Sequence, residues 1–212
     1  MTVPGLFVAV EGPEGAGKST LVAWLAARLL ADGRQVVTVR EPGGTSVAEA
    51  ARKVALHAPH EIAPAAELFL LLAARADLVD RVIRPALEAG HIVLADRFDL
   101  STMAYQVAGR GLPRADVEVA NRLATGGLAP DLTLVLDVPV AVGRERQRKA
   151  RKSQDRFERQ DDAFHRCVLD AFRRARGPGV THLDATQPKK AVQEAAWREV
   201  MAVAAPSTRG VS

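Results

Sequence analysis

The sequence predicts an α/β fold, a three-layer sandwich in which a five-stranded parallel sheet is flanked by helices. Three observations predict it. Short apolar or β-branched runs recur at Leu6–Val10, Val36–Val39, Ile92–Ala95, Leu132–Leu136 and Val180–Leu183. Each run is apolar on both faces, as strands of a sheet covered on both sides are. The intervening stretches, rich in Ala, Leu, Arg and Glu, are long enough for crossover helices. In such a sheet ligands bind beyond the carboxyl ends of the strands, so the chemistry is sought there.

The first strand runs into a glycine-rich turn and a helix over Lys18–Ala31, which Gly33 ends. After the second strand come helices over Ser46–Ala58, Pro64–Ala74 and Asp77–Glu88, the last closed by Gly90. The third strand leads to helices over Leu100–Val107 and Arg114–Ala124, and the fourth to Val140–Lys149 and Asp161–Arg174. A last helix over Pro188–Val203 opens on a proline, whose fixed φ suits a first helical turn. With 212 residues, 48% hydrophobic and no internal repeat, the chain is expected to form one domain over residues 1–204, with a lid at about 144–158. The small, polar tail 205–212 is expected to be disordered.

The net charge of +4 is local. Arg144 to Lys152 holds six basic residues and one acidic residue, a net +5, so the rest of the chain is slightly acidic. A nucleic-acid binder spreads its basic groups with aromatics between them. This segment has no aromatic and suits a small polyanion such as a triphosphate, so no nucleic-acid partner is expected. The N-terminus lacks the basic flank of a signal peptide, and no apolar stretch approaches the roughly 20 residues that span a bilayer. No membrane partner and a cytoplasmic location are expected. The single cysteine, Cys167, reads as a buried structural thiol.

Gly12-Pro13-Glu14-Gly15-Ala16-Gly17-Lys18-Ser19 satisfies G-x-x-x-x-G-K-[ST] between a strand and a helix. The glycines let successive backbone N–H groups turn toward a β-phosphate, where the helix N-terminus adds partial positive charge. Lys18 can reach the β- and γ-phosphates, and the Ser19 hydroxyl can ligate Mg2+. Together with the strand pattern this makes a P-loop NTPase sandwich. The loop alone suits a switch, a motor or a kinase, but the chain contains no N-K-x-D guanine-reading motif.

At the end of the third strand, Asp96 is a hard oxygen ligand for Mg2+, and Arg97 can hold two oxygens of a phosphate at once. Pro42 and Gly43 follow the second strand and let the main chain turn close to a ligand. Arg75 interrupts an apolar helix, where a guanidinium needs a partner. That partner is a ligand or an internal carboxylate such as Glu67 or Asp77.

Seven ordered segments make the chain resemble the bacterial thymidylate kinases, P-loop nucleoside monophosphate kinases. They are Val10-Glu-Gly-Pro-Glu-Gly-Ala-Gly-Lys-Ser-Thr20, Arg40-Glu-Pro-Gly-Gly-Thr45, Ala73-Ala-Arg75, Asp96-Arg97 with Ser101-Thr-Met-Ala-Tyr-Gln106, Pro130 to Asp137, Asp155-Arg-Phe-Glu158, and Asp184-Ala-Thr-Gln-Pro188. The resemblance implies transfer of the γ-phosphoryl group of ATP to thymidine monophosphate, with Mg2+, in a homodimer. It implies that residues 12–20 and Gln187 bind the donor, Gln187 bordering the adenine. It implies that Glu14 contacts the acceptor sugar hydroxyl, Pro42 and Gly43 border the acceptor phosphate, and Arg97 grips that phosphate. Arg75 then meets the O4 carbonyl of thymine, Ser101, Thr102 and Gln106 line the base pocket, and Tyr105 stands against the sugar. The basic segment corresponds to the family's lid, with Arg148 and Arg151 the first choices for the catalytic cation and Arg146 and Arg156 behind them. Gly15 stands where a second subclass of the family has arginine, which leaves that cation to the lid. Apolar Leu68–Leu72 or Val79–Ile83 are expected to contribute to dimer contacts. One position departs from the pattern: Leu71 replaces the usual phenylalanine that stacks on thymine, and Phe69 lies about 200° away around the helix.

Overall fold

The computed structural model describes residues 5–149 and 155–204. Five parallel strands, β1 (Leu6–Glu11), β2 (Val36–Arg40), β3 (Ile92–Asp96), β4 (Leu132–Asp137) and β5 (Val180–Asp184), form one sheet in the order β2-β3-β1-β4-β5. All six residues of β1 are buried, because it is flanked by β3 and β4 in the sheet and covered on both faces. The register brings Val10, Arg40 and Asp96 into one row at the carboxyl edge, and Asp137 beside Asp184. Successive β1 side chains point to opposite faces. Leu6, Val8 and Val10 pack against α1 (Lys18–Ala31) and α9 (Lys189–Ala204) through Leu21, Leu25, Leu29, Ala196 and Val200. Phe7 and Ala9 face Leu78, Ile83 and Phe98 on the other side.

The remaining helices are α2 (Ser46–His57), α3 (Pro64–Leu78), α4 (Arg84–Glu88), α5 (Asp99–Thr102), α6 (Arg114–Thr125), α7 (Val140–Lys149) and α8 (Asp162–Arg174). Thr45 caps α2 by accepting from Ala48 N at 3.1 Å, and Asp161 caps α8 by accepting from Phe164 N at 2.8 Å. The break expected between Ala74 and Asp77 is absent. Instead α3 runs into a π-helical turn, Val79–Ile83, and on into α4. The wide turn falls just before Pro85, which has no N–H for the regular ladder. A second π-helical stretch, Met103–Gly109, extends α5.

Two surface expectations are corrected. Leu68, Leu72, Val79 and Ile83 are core residues, packed within the chain. The exposed apolar side chains on this flank are Phe69, Val119 and Leu123. Cys167 is exposed, on the outer face of α8. Among the described residues no helix is long and apolar enough to cross a membrane. The tail 205–212 and residues 150–154 of the expected lid, Arg151 among them, lie outside the described residues.

Candidate active site

The loop 12–17 leaves the buried end of β1 and delivers Lys18, Ser19 and Thr20 as the first turn of α1. Gly15 has φ +73°, and a Cβ there would stand 2.2 Å from the carbonyl oxygen of Gly143 in α7. The backbones of loop and helix therefore touch with no side chain between them. Lys18 is buried and donates to Gly12 O at 3.0 Å and Pro13 O at 2.8 Å. Burial, and then the charge of Arg97, lowers its pKa to about 8.

Arg97 follows β3 with φ 76°, a left-handed conformation that is uncommon outside glycine and recurs at functional sites. Its Nη1 donates to Gly12 O at 3.2 Å and Ser101 Oγ at 3.0 Å, and its Nη2 to Glu14 Oε1 and the Tyr105 hydroxyl. Burial would raise the pKa of Glu14, but Arg97 and Lys18 outweigh it and lower the value to about 2. Ser19 Oγ lies 2.5 Å from Asp96 Oδ2, so the hydroxyl and carboxylate meet at the mouth of the loop. Among the described residues no cluster of three or more His, Cys, Asp or Glu side chains could hold a metal. Magnesium at a phosphate site needs only one or two protein oxygens, the phosphates supplying others.

Arg75 lies beside this crevice, 3% exposed. Its partner is Glu41 rather than Glu67 or Asp77: Nε reaches Glu41 Oε2 at 2.8 Å and Nη2 reaches it at 2.5 Å. Nη1 donates to Thr102 Oγ1 at 2.8 Å and Asn121 Oδ1 at 2.6 Å, and Nη2 also to Phe98 O at 2.9 Å. All five N–H groups of the side chain are thus committed. Gln106, expected at the edge of the base, is 1% exposed and donates instead to Glu67 Oε1 at 3.0 Å. Leu71 is half-buried against the cluster of Tyr105, Phe157 and Phe164. Gly43 is buried, and Pro42 accepts from Arg52 Nη1 at 2.7 Å through its carbonyl.

Among the arginines expected in the lid, Arg146 reaches the loop, donating to Ala185 O at 2.9 Å and Gly15 O at 3.5 Å. Arg148 is exposed on α7. Arg156 is turned inward onto Glu67 and Ala55 O, away from the phosphate loop. Gln187 donates to Asp184 Oδ2 at 2.9 Å in the turn after β5. A cleft of about 360 Å³ beside His60, Arg110, Arg156 and Arg159 contains no residue of the loop or the strand ends. Glu67 balances two of its guanidinium groups from below. Sequence reasoning assigned no role to Glu11, Glu41, Arg52 or Asn121. Glu11 is the last residue of β1 and Glu41 the first after β2, each a single carboxylate at a strand end with no spacing to mark it.

A phosphate loop, a hydroxyl–carboxylate pair beside it and an arginine-carrying strand end, all on one edge of a parallel sheet, define a P-loop nucleotide phosphotransferase. The profile of the family described as Thymidylate kinase matches residues 10–196. A thymidylate kinase of Pseudomonas fluorescens is 50% identical over 194 residues, which cover 90% of this chain and 92% of the relative. That of Deinococcus radiodurans is 46% identical over 200 residues, 92% of this chain and 96% of the relative. That of Thermomicrobium roseum is 47% identical over 200 residues, 93% and 95% respectively. The chain belongs to the thymidylate kinase family.

Proposed function

We propose that this chain transfers the γ-phosphoryl group of ATP to thymidine 5′-monophosphate, giving thymidine diphosphate and ADP, as a cytoplasmic step of dTTP synthesis. The observation that carries the reading is the shared contact at Gly12 O, where Lys18 from the donor side and Arg97 from the acceptor side converge. Two phosphate esters gathered at one crevice find a cation each. Lys18 exchanges the loop carbonyls for the phosphates of ATP, and Arg97 grips the acceptor phosphate and keeps it in line. Arg52, beside Pro42, adds positive charge on the acceptor side. Glu14, held ionised by Arg97, accepts a hydrogen bond from the sugar hydroxyl, and Tyr105 backs the ring. The base reaches Arg75 only by displacing one of its present partners, such as Thr102 or Asn121 at Nη1. Ser19 and Asp96 fit Mg2+ as hard oxygen donors and would hold the ion, which would supply neutralisation of phosphate charge. Arg146, already on the loop, joins Arg148 and Arg151 as a lid cation.

A coupled assay with ATP, Mg2+ and thymidine monophosphate tests the reading. ADP must form only when the acceptor is present. Protein that forms no diphosphate from any nucleoside monophosphate offered refutes it.

Leu71 favours a second reading in which the acceptor preference is broader. Base–aromatic stacking is worth about 1–3 kcal/mol, and Phe69, at 63% exposed, does not supply it. Rates for thymidine, deoxyuridine, deoxyguanosine and deoxycytidine monophosphates decide the matter. Strict thymidine selectivity with a low KM rejects the broader reading.

We further propose a homodimer. The adjoining helices α3 and α6 carry Phe69, Val119 and Leu123, all exposed, and a second copy of the chain would cover them.

A further inference from the structure

Glu11 is the last residue of β1 and is 0% exposed, beneath the phosphate loop it precedes. A carboxylate in that position is costly unless its oxygens are hydrogen-bonded, and every bond it accepts comes from the turn that carries Arg97. Oε1 accepts from Phe98 N at 2.8 Å and Ser101 N at 3.0 Å, and Oε2 accepts from Ser101 Oγ at 2.6 Å. The Ser101 hydroxyl has one proton, which goes to Glu11, and its lone pairs accept from Arg97 Nη1 at 3.0 Å. The main chain of the same turn is pinned by Arg97 N to Val10 O at 3.0 Å. These bonds hold Arg97 in its left-handed φ and aim its guanidinium over Gly12.

We infer that Glu11 is a positioning residue for Arg97, acting through the Ser101 hydroxyl, so that one buried carboxylate sets the acceptor-side guanidinium relative to the phosphate loop. This rests on the kinase reading above and adds to it a residue that touches neither substrate. Glutamine has the same shape but breaks the relay in either orientation. With its amide nitrogen toward Ser101 it donates to the hydroxyl, whose proton then competes with Arg97. With the nitrogen toward Phe98 and Ser101 it sets donors against two main-chain N–H groups.

The test compares Glu11→Gln, Ser101→Ala and the double variant in the full chain. Each single variant is expected to lower kcat about 10- to 100-fold, the cost of misplacing a catalytic group by a fraction of an ångström to an ångström. KM for ATP is expected to stay within about twofold, since the loop is untouched. The double variant is expected to be no slower than the slower single, because both changes cut one relay. In substrate-free protein, the Arg97 side-chain N–H signals followed by 15N NMR are expected to exchange slowly in the wild type, where both Nη groups are hydrogen-bonded, and fast in both variants. Folded variants with wild-type kcat, losses that multiply, or an Arg97 signal unchanged in either variant overturn the relay. If Glu11→Gln does not fold, Ser101→Ala, which keeps both main-chain bonds to Glu11, decides by the same kinetic and NMR readouts. A wild-type protein without phosphoryl transfer sinks the kinase reading instead, and the NMR comparison still decides the relay.

Discussion

Lys18 and Arg97 donate to the same carbonyl oxygen, that of Gly12. Two cations drawn together over one acceptor are poised to receive phosphate oxygens, which compensate both charges at once. Lys18→Ala and Arg97→Ala are each expected to lower turnover in the coupled assay by orders of magnitude, since each removes charge stabilisation from the transition state. Glu11 adds a dependence on pH. Burial raises its pKa from 4.5 to about 7, against the opposing pull of Arg97 and its hydrogen bonds. Between these values the folded chain keeps a proton that the unfolded chain has lost, so this group's contribution to stability falls as pH climbs from 4.5 toward 7. The groups facing it are Arg97 from the β3–α5 turn, Asp99 from α5, Lys18 from α1 and Arg75 from α3. Ionised Glu11 is the form that takes the Ser101 proton. The kcat profile of the wild type is expected to rise through about pH 7, and that limb is expected to vanish in Glu11→Gln. Lys18, Ser19, Asp96 and Arg97 were legible in the sequence because strand ends and glycine spacing mark them. Glu11 and Glu41 were not, because a single carboxylate closing an apolar run leaves no periodic trace.

Three segments of the fold meet on the Glu67 side chain, which is 0% exposed. Arg110 from beyond the second π-helical stretch donates to it twice, at 3.1 and 3.0 Å, Gln106 at 3.0 Å, and Arg156 from the end of the lid donates as well. Arg156 also donates to Ala55 O of α2 at 3.0 Å, so the lid's far root is tied to both α2 and α3. Removing one member of a buried ion pair costs about 3–5 kcal/mol. Glu67→Ala strands two guanidinium groups, and urea denaturation is expected to show a loss in that range. The strands and most helices followed from hydrophobic period, but the continuous helix through Pro85 and the π-helical stretch at Met103–Gly109 did not. One extra residue in a turn rotates every later side chain, and periodicity does not reveal it. The family resemblance, not the helical period, set Gln106 at the base, and the folded chain turns it to Glu67. Arg75 was marked correctly as needing a partner, but only the tertiary fold brings β2 and its Glu41 to it.

The sheet order β2-β3-β1-β4-β5 puts β1 in the middle, so its loop is flanked by the Arg97 turn after β3 and by α7 after β4. The order follows from the alternating pattern only in class, not in detail, because strand neighbours are chosen by long-range packing. The assembly belongs to the same level. Leu123→Glu, at a position 85% exposed, is expected to shift a dimer toward monomer in sedimentation velocity with little change in melting temperature. A unchanged sedimentation coefficient for the variant rejects this surface as the dimer contact. On the opposite flank, the direct seating of α7 on the loop at Gly15 and Gly143 would make a loop arginine and a lid cation, the two arrangements the family resemblance implies, sterically exclusive. An arginine grafted at position 15 would have to push the lid helix off its seat, along with the Arg146 bridge to Ala185. Exchange between the two subclasses therefore demands that helix and loop change together, and a graft of either part alone leaves an enzyme with a crowded cradle or an uncompensated charge.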